Sequence, residues 1–303
     1  MNGLPDFLVI GAGKSGTTSL HEYLNQHPQI FMGTKEPNFF HYELETEDSF
    51  DIEATKKHYR ESVTDLTSYK GLFKDAKDGQ LLGEVSNLYL NSEKAYKRIE
   101  YYVPEVKLIA ILRHPADRLF SRYYHLVRED KLPSKSFDDI FDKSSIWWRR
   151  ADLIPEGFYF SQLKKFYDTF KRDQIKVFLY EEFINETDRV VKDIFEFLNV
   201  NPDIKVGTDV IYNKSGEVKN KAIDTLVGQN SAPILFLKRY APAVHKAMKN
   251  SVQVNRILNA LRNKNLEKPE LSKENRKRII EEIYKEDILE LQQLLQRDLS
   301  HWL

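Results

Sequence analysis

The sequence has no cysteine, and only 3 methionines and 3 tryptophans among its 303 residues. Without cysteine there is no disulfide framework, thiol nucleophile, iron–sulfur cluster or thiolate zinc site, and the chain is compatible with a reducing compartment. An excess of one charge is also missing. Lys plus Arg number 46 and Asp plus Glu number 46, for a formal net charge of +0. A chain-wide nucleic-acid footprint needs a basic excess, so no nucleic-acid partner is expected. Long apolar runs are absent too. A run such as Leu108-Ile109-Ala110-Ile111-Leu112 falls far short of the ~20 residues that span a bilayer. The opening residues MNGLPDFLVIGAG lack the basic segment and long apolar stretch of a secretory signal, and a cytoplasmic location is expected. No internal repeat or low-complexity linker divides the chain, so the expectation is one domain over 1–303.

What is present is a regular alternation of elements. Apolar residues make up 41% of the chain, enough for a sizeable core. Phe7 to Ile10 reads as a buried strand ended by glycines, and Thr17 to Asn25 carries helical spacing. His27-Pro28 stops that helix, and Gln29 to Met32 is a candidate second strand. Val106 to Leu112 is a further strand, Arg113-His114-Pro115 a turn, and Ala116 to Glu129 a helix. An amphipathic helix around Ser161 to Phe170 precedes a strand at Ile175 to Tyr180, and the chain is helical from about Leu271. Strand and helix in alternation predict an α/β fold with a central parallel sheet flanked by helices.

Two charge blocks stand out. One is acidic: Glu43, Glu45, Glu47, Asp48, Asp51 and Glu53. The other spans 225–266, which has no acid but holds Lys238, Arg239, Lys246, Lys249, Arg256, Arg262 and Lys264. It reads as a solvated helix face, or as a docking surface for an acidic partner or a membrane surface.

GAGKSGTTSL follows a strand and opens a helix, which marks an anion site. The first helical N–H groups have no internal partners, and the helix dipole is positive at that end. Three anions compete. Gly11, Gly13 and Gly16 satisfy G-x-G-x-x-G with Glu36 20 residues beyond Gly16, the pattern of an NAD(P)-dependent oxidoreductase. A dinucleotide loop, however, has no need of Lys14, Ser15, Thr17, Thr18 and Ser19. Gly11 and Gly16 also have the Walker-A separation, but Thr17-Thr18 replaces Lys-Ser/Thr and the lysine sits before the second glycine. The third anion is a sulfuryl donor. A second candidate site lies in ILRHPADRLFSRYYH. Arg113 ends a strand there, where ligands of open α/β sheets bind, and Ser121 follows on the next helix. Arginine offers a bidentate charged fork for phosphate and serine one more donor. Two separated phosphate sites fit a 3′,5′-bisphosphorylated nucleotide, whereas NAD and ATP present one connected run of phosphates. A module that only binds a nucleotide, without turnover, is the non-enzymatic alternative.

These motifs resemble the PAPS-dependent sulfotransferase family, in its bacterial and heparan-sulfate-type carbohydrate branch. Lys14-Ser15-Gly16-Thr17-Thr18 is similar to the family's 5′-phosphosulfate loop, and Arg113 and Ser121 match its R-x-P-x-x-R-x-x-S-x-Y segment. GEVSNLYL (83–90) is similar to G-E-x-S-P-x-Y-L, with Asn87 where the family has proline. The resemblance implies a P-loop-like sulfotransferase fold and PAPS (3′-phosphoadenosine 5′-phosphosulfate) as co-substrate, bound by Lys14, Ser15, Gly16, Thr17, Thr18, Ser19, Arg113 and Ser121. The acceptor is then a hydroxyl of a glycan, lipid or small metabolite. No metal is required, because the sulfate carries less charge than a terminal phosphate. Lys14 is placed to neutralise charge building on the leaving phosphate. In the carbohydrate branch a glutamate shortly before Phe-Phe is the base, which points to Glu36 of KEPNFF. Phe39 and Phe40 are then expected to exclude water from it. His41 is the second candidate base, since histidine needs little tuning near neutral pH. Lys35 and the 214–221 stretch are candidate donor contacts. Glu84, Ser86 and Tyr89 are candidates for shaping the pocket. Trp147-Trp148-Arg149-Arg150 with Phe158-Tyr159 is a candidate acceptor groove or part of the core.

Overall fold

The computed structural model describes residues 3–128, 131–134, 136–208, 217–218, 231–242, 244, 248, 266–267 and 270–303. Most of 214–221 and of the basic 225–266 stretch therefore lies outside the described residues.

Short apolar segments fenced by turn residues become the strands. They are β1 (Phe7–Gly11), β2 (Ile30–Met32), β3 (Leu81–Val85), β4 (Lys107–Leu112) and β5 (Ile175–Leu179). All five run parallel in the order β2-β3-β1-β4-β5. The fold is thus the expected α/β architecture. β1 is central, with Phe7 opposite Gly83 on one side and Lys107 on the other. Its alternate side chains enter two cores. Leu8 and Ile10 pack with the helices Pro115–Arg128, Tyr159–Thr169 and Lys285–Leu295, while Phe7 and Val9 pack with α1 (Thr17–Leu24) and Thr187–Leu198. Burial on both faces is why β1 and β4 read as continuous apolar runs without alternation.

β3 has no counterpart in the sequence reading. Gly83 and Glu84 interrupt its apolar run, yet both are buried. The polar carboxylate hides the strand from a hydrophobicity argument.

The chain from β1 first turns toward β2 and β3, and later crosses to β4 on the opposite side. The loops after β1 and β4 therefore leave neighbouring strands at the same sheet edge, where strand order reverses. Ligands of open α/β sheets bind at such switch points. At the other end of the chain, Ser272 caps the helix Lys273–Ile279 by accepting from the Asn275 N–H at 3.1 Å. A π turn, Ile280–Tyr284, joins it to Lys285–Leu295. Trp302 is buried, and its Nε1 donates to Glu181 at 2.8 Å.

Candidate functional site

The loop after β1 is shaped for close approach. Gly16 precedes α1 with φ 84°, and a Cβ there would stand 2.9 Å from Phe183 Cε1. Only glycine meets both demands cheaply. Gly13 donates its N–H to Glu156 Oε1 at 2.8 Å, and a Cβ on Gly13 would lie 2.4 Å from that oxygen. Ser15, Thr17 and Ser19 are buried at the start of α1, beside amides that the helix itself leaves without partners. The Ser15 hydroxyl oxygen is buried with no hydrogen-bond partner among the described residues. A buried hydroxyl in that state is costly unless a ligand completes it, so the loop fits an anion.

The second candidate anion site lies against the first. Arg113 leaves the end of β4, and its Nη1 donates to the Lys14 carbonyl at 3.0 Å. The guanidinium lies over the Tyr180 ring, 4.8 Å from its centroid. Tyr159 fixes the Arg113 backbone by donating its hydroxyl to the carbonyl at 2.9 Å. Pro115 begins the helix Pro115–Arg128, its fixed φ suiting that position, and Ser121 is buried on it. Arg113 and Ser121 share a cavity of about 480 Å³ whose walls include His114, Asp117, Tyr124 and Arg276. That is the size of a small-molecule pocket. Within it Arg276 pairs with Asp117 at 2.8 Å. The strand Glu217–Val218, paired with Leu266–Glu267, lies against the same helix.

The electrostatics agree with an anion at the junction. Lys14 has its pKa lowered to about 7, first by burial and then by the positive charges of Arg122, Arg128, Arg113 and Lys35. Cations gathered round a lysine make a field that a polyanion relieves.

Glu36 and Lys35 complete the cluster. Lys35 Nζ donates to the Thr18 hydroxyl and lies 3.3 Å from Glu36 Oε1. Asn87 Nδ2 donates to the same carboxylate oxygen at 2.9 Å. The Glu36 backbone N–H donates to the Val85 carbonyl at 2.8 Å, which ties the loop to the end of β3. Phe39 and Phe40 do not enclose the carboxylate. They are buried in the core, Phe39 stacked on Tyr69 at 4.3 Å, while the Glu36 side chain is 37% exposed.

His41 faces elsewhere. Burial, then His58 and Arg98, lower its pKa to about 4, so it is neutral at pH 7. Its charged surroundings are His58, Arg98, Glu45 and Lys94, none of which belongs to the Lys14–Glu36 cluster. The structure thus brings together Lys14, Ser15, Gly16, Thr17, Thr18, Ser19, Glu36, Arg113 and Ser121, and leaves His41 apart.

Several other residues of the sequence reading are buried. Glu84, Ser86 and Tyr89 are fully buried, with Ser86 Oγ accepting from the Asn38 N–H at 3.1 Å. Trp147 is buried and donates to Ser134 Oγ at 2.7 Å, and Arg150 pairs with Asp152 at 2.6 Å. That leaves Trp148, Arg149 and Phe158 with accessible surface. Asn87, Tyr180, Glu156 and Arg118 carry no functional reading in the sequence alone. For Asn87 a signal exists, as a polar residue where the similar segments have proline. Among the described residues no group of three or more His, Asp or Glu is placed to hold a metal ion.

A model of the sulfotransferase domain matches residues 4–221. Mouse bifunctional heparan sulfate N-deacetylase/N-sulfotransferase 4 is 27% identical over 209 residues, 66% of this chain and 23% of that protein. Mouse heparan sulfate glucosamine 3-O-sulfotransferase 6 is 31% identical over 131 residues, 43% of this chain and 33% of that protein. The chain therefore spans only about a quarter to a third of the length of these relatives. A solved sulfotransferase structure from Alicyclobacillus acidocaldarius matches with TM-score 0.70 and 27% identity, covering 99% of this chain and 98% of that one. The G-x-G-x-x-G loop is accordingly not the mark of an oxidoreductase. With the family model spanning both the glycine loop and the Arg113 helix, the chain belongs to the sulfotransferase family.

Proposed function

We propose that the protein transfers the sulfuryl group of PAPS to an acceptor hydroxyl. The observation that carries this reading is the Arg113–Lys14 contact at 3.0 Å, which sets two phosphate-binding elements side by side. The 5′-phosphosulfate lies in the loop of Lys14 to Ser19, held by amides, hydroxyls and the Lys14 ammonium. The 3′-phosphate lies with Arg113 and Ser121 at the mouth of the cavity, and the nucleoside spans the interval. The acceptor oxygen bonds to sulfur as the bond from sulfur to the 5′-phosphate oxygen breaks. The bond pair leaves with adenosine 3′,5′-bisphosphate, where Lys14 offsets the growing charge. Glu36 takes the acceptor proton, with Lys35 and Asn87 holding its carboxylate in place. A carbohydrate acceptor is favoured by the heparan sulfate enzymes among the relatives.

Thermal unfolding with adenosine 3′,5′-bisphosphate, NAD or ATP–Mg tests the donor. A ligand at ~100 times its dissociation constant adds ~2.7 kcal/mol of apparent stability. The bisphosphate should raise the midpoint and NAD should not, and the opposite ranking would end this reading.

A further inference from the structure

Behind the two phosphate elements lies a buried ion pair that the chemistry above does not use. Glu156 and Arg118 are both buried, with Arg118 Nη1 2.7 Å from Glu156 Oε2. The other carboxylate oxygen, Oε1, accepts the Gly13 N–H at 2.8 Å. One carboxylate therefore grips the glycine loop with one oxygen and the helix Pro115–Arg128 with the other. Arg118 stands one residue past Asp117 and three before Ser121 on that helix. Its guanidinium also donates to the carbonyls of Asp152, at 3.2 Å, and Leu153.

The turn that presents Glu156 is itself fixed. Tyr284 donates its hydroxyl to the Ile154 carbonyl at 3.0 Å, and Gln162 Nε2 donates to the Pro155 carbonyl at 2.8 Å. A Cβ on Gly157 would meet Tyr284 Cε1 at 2.7 Å, so this turn packs directly on that ring. A carboxylate beside an anion site would repel the ligand if it stood alone. Here Arg118 neutralises it, and the Gly13 amide is withdrawn from the ligand to serve as an anchor.

We propose that Glu156 is a positioning residue for the donor site, clamping Gly13 and Arg118 so that the 5′- and 3′-phosphate elements keep one fixed separation. This rests on the donor reading above. A ligand with two phosphates gains from that fixed separation, because its second phosphate binds at high effective concentration, and a ligand with one phosphate does not.

The test is calorimetric affinity for adenosine 3′,5′-bisphosphate, adenosine 5′-monophosphate and adenosine 3′-monophosphate. Wild-type protein should prefer the bisphosphate strongly over either monophosphate. Glu156→Ala should narrow that preference by about tenfold or more while each monophosphate binds nearly as before. Glu156→Ala leaves Arg118 buried without its partner, which destabilises the fold. The double variant Arg118→Met with Glu156→Gln removes both charges together and is the one expected to fold. It should show the same narrowed preference. The new amide can still reach Gly13, but the thioether side chain on the helix gives it no guanidinium to grip, so the clamp is open at that end. A folded variant of either kind that keeps the wild-type ratio overturns the proposal. If the wild-type protein fails to prefer the bisphosphate, the donor reading itself has failed, an outcome visible before any variant is made.

Discussion

Lys14 offers a prediction whose sign and size both follow from its surroundings. In the free protein its pKa is lowered to about 7 by burial, then by Arg122, Arg128, Arg113 and Lys35. At pH 8 a group with that pKa is roughly one-tenth protonated. A bound 5′-phosphate changes the balance, since phosphates with a second pKa near 6 are dianionic at this pH. The ammonium form is then favoured, and the pKa returns toward its usual range. Binding should therefore take up roughly 0.9 proton at pH 8, where the phosphates are already dianionic and Lys14 is the group that titrates. By linkage, the dissociation constant should rise with pH above 7, approaching about tenfold per pH unit. Titration calorimetry with adenosine 3′,5′-bisphosphate at pH 8, in buffers of different ionisation enthalpy, measures the proton count directly. Lys14→Met should abolish the uptake and, at pH 6.5, weaken binding by about 10- to 100-fold, the worth of one charge-assisted hydrogen bond. Uptake below about 0.2 proton in the wild-type protein, or uptake that persists in Lys14→Met, would refute the reasoning. The free protein should show the complementary effect in its pH-dependent stability. Between pH 7 and 10.5 the unfolded chain holds the proton that folded Lys14 has lost, so this group favours the fold more as pH rises through that window.

Glu36→Gln should lower turnover by about 10²- to 10⁴-fold and leave bisphosphate affinity almost unchanged, and steady-state rates that match wild type would remove Glu36 from the base role. Arg113→Ala should weaken the bisphosphate far more than adenosine 5′-monophosphate in side-by-side titrations, and equal losses would contradict its assignment to the 3′-phosphate. Burial pushes Glu84 up to about 8. The folded state then keeps a proton that the unfolded chain releases above pH 4.5, so stability falls as pH rises through 4.5 to 8, by at most about 1.4 kcal/mol per pH unit. Glu84→Gln should flatten that slope in urea titrations at pH 5.5 and 8, and an unchanged slope would show that Glu84 is not its source.

The elements legible in the sequence are those whose local pattern and tertiary role coincide. β1 and β4 are buried on both faces and end at the glycine loop and at Arg113, so apolar runs followed by turn residues are enough to find them. β3 is hidden because Glu84, in mid-strand, is polar and yet fully buried, a fact that only its tertiary neighbours determine. The proposed phosphate elements stand out in the sequence because their residue types suit anion binding at a helix start and a strand end. The supports behind them cannot. Glu156 lies 143 positions from Gly13 and 38 from Arg118, and no local pattern marks a carboxylate for partners that distant. The Trp147–Arg150 group stays open between groove and core in the sequence for the related reason that exposure, not residue type, separates the two, with Trp147 and Arg150 buried and Arg149 exposed.

The site also gathers unusual backbone conformations that residue type does not announce. Six non-glycine residues among those described have φ in the left-handed region, and three of them are Lys14, Glu36 and Asn38, with φ of 66°, 57° and 54°. Such conformations cost energy for residues with a Cβ and persist where the surroundings over-determine them. At Lys14 the backbone is held by Arg113, through the Lys14 carbonyl. At Glu36 it is held by the Val85 carbonyl, which accepts the Glu36 N–H at 2.8 Å. At Asn38 it is held by Ser86 Oγ and by the side chain's own bond to the Glu36 carbonyl at 2.8 Å. The lysine proposed to meet the leaving phosphate and the carboxylate proposed to take the proton thus both project from turns fixed by neighbouring strands. A proton acceptor on a loosely held loop would have to be ordered at each turnover. Here β3 and its continuation through Ser86 and Asn87 do that ordering in advance, which is what a reaction governed by positioning requires.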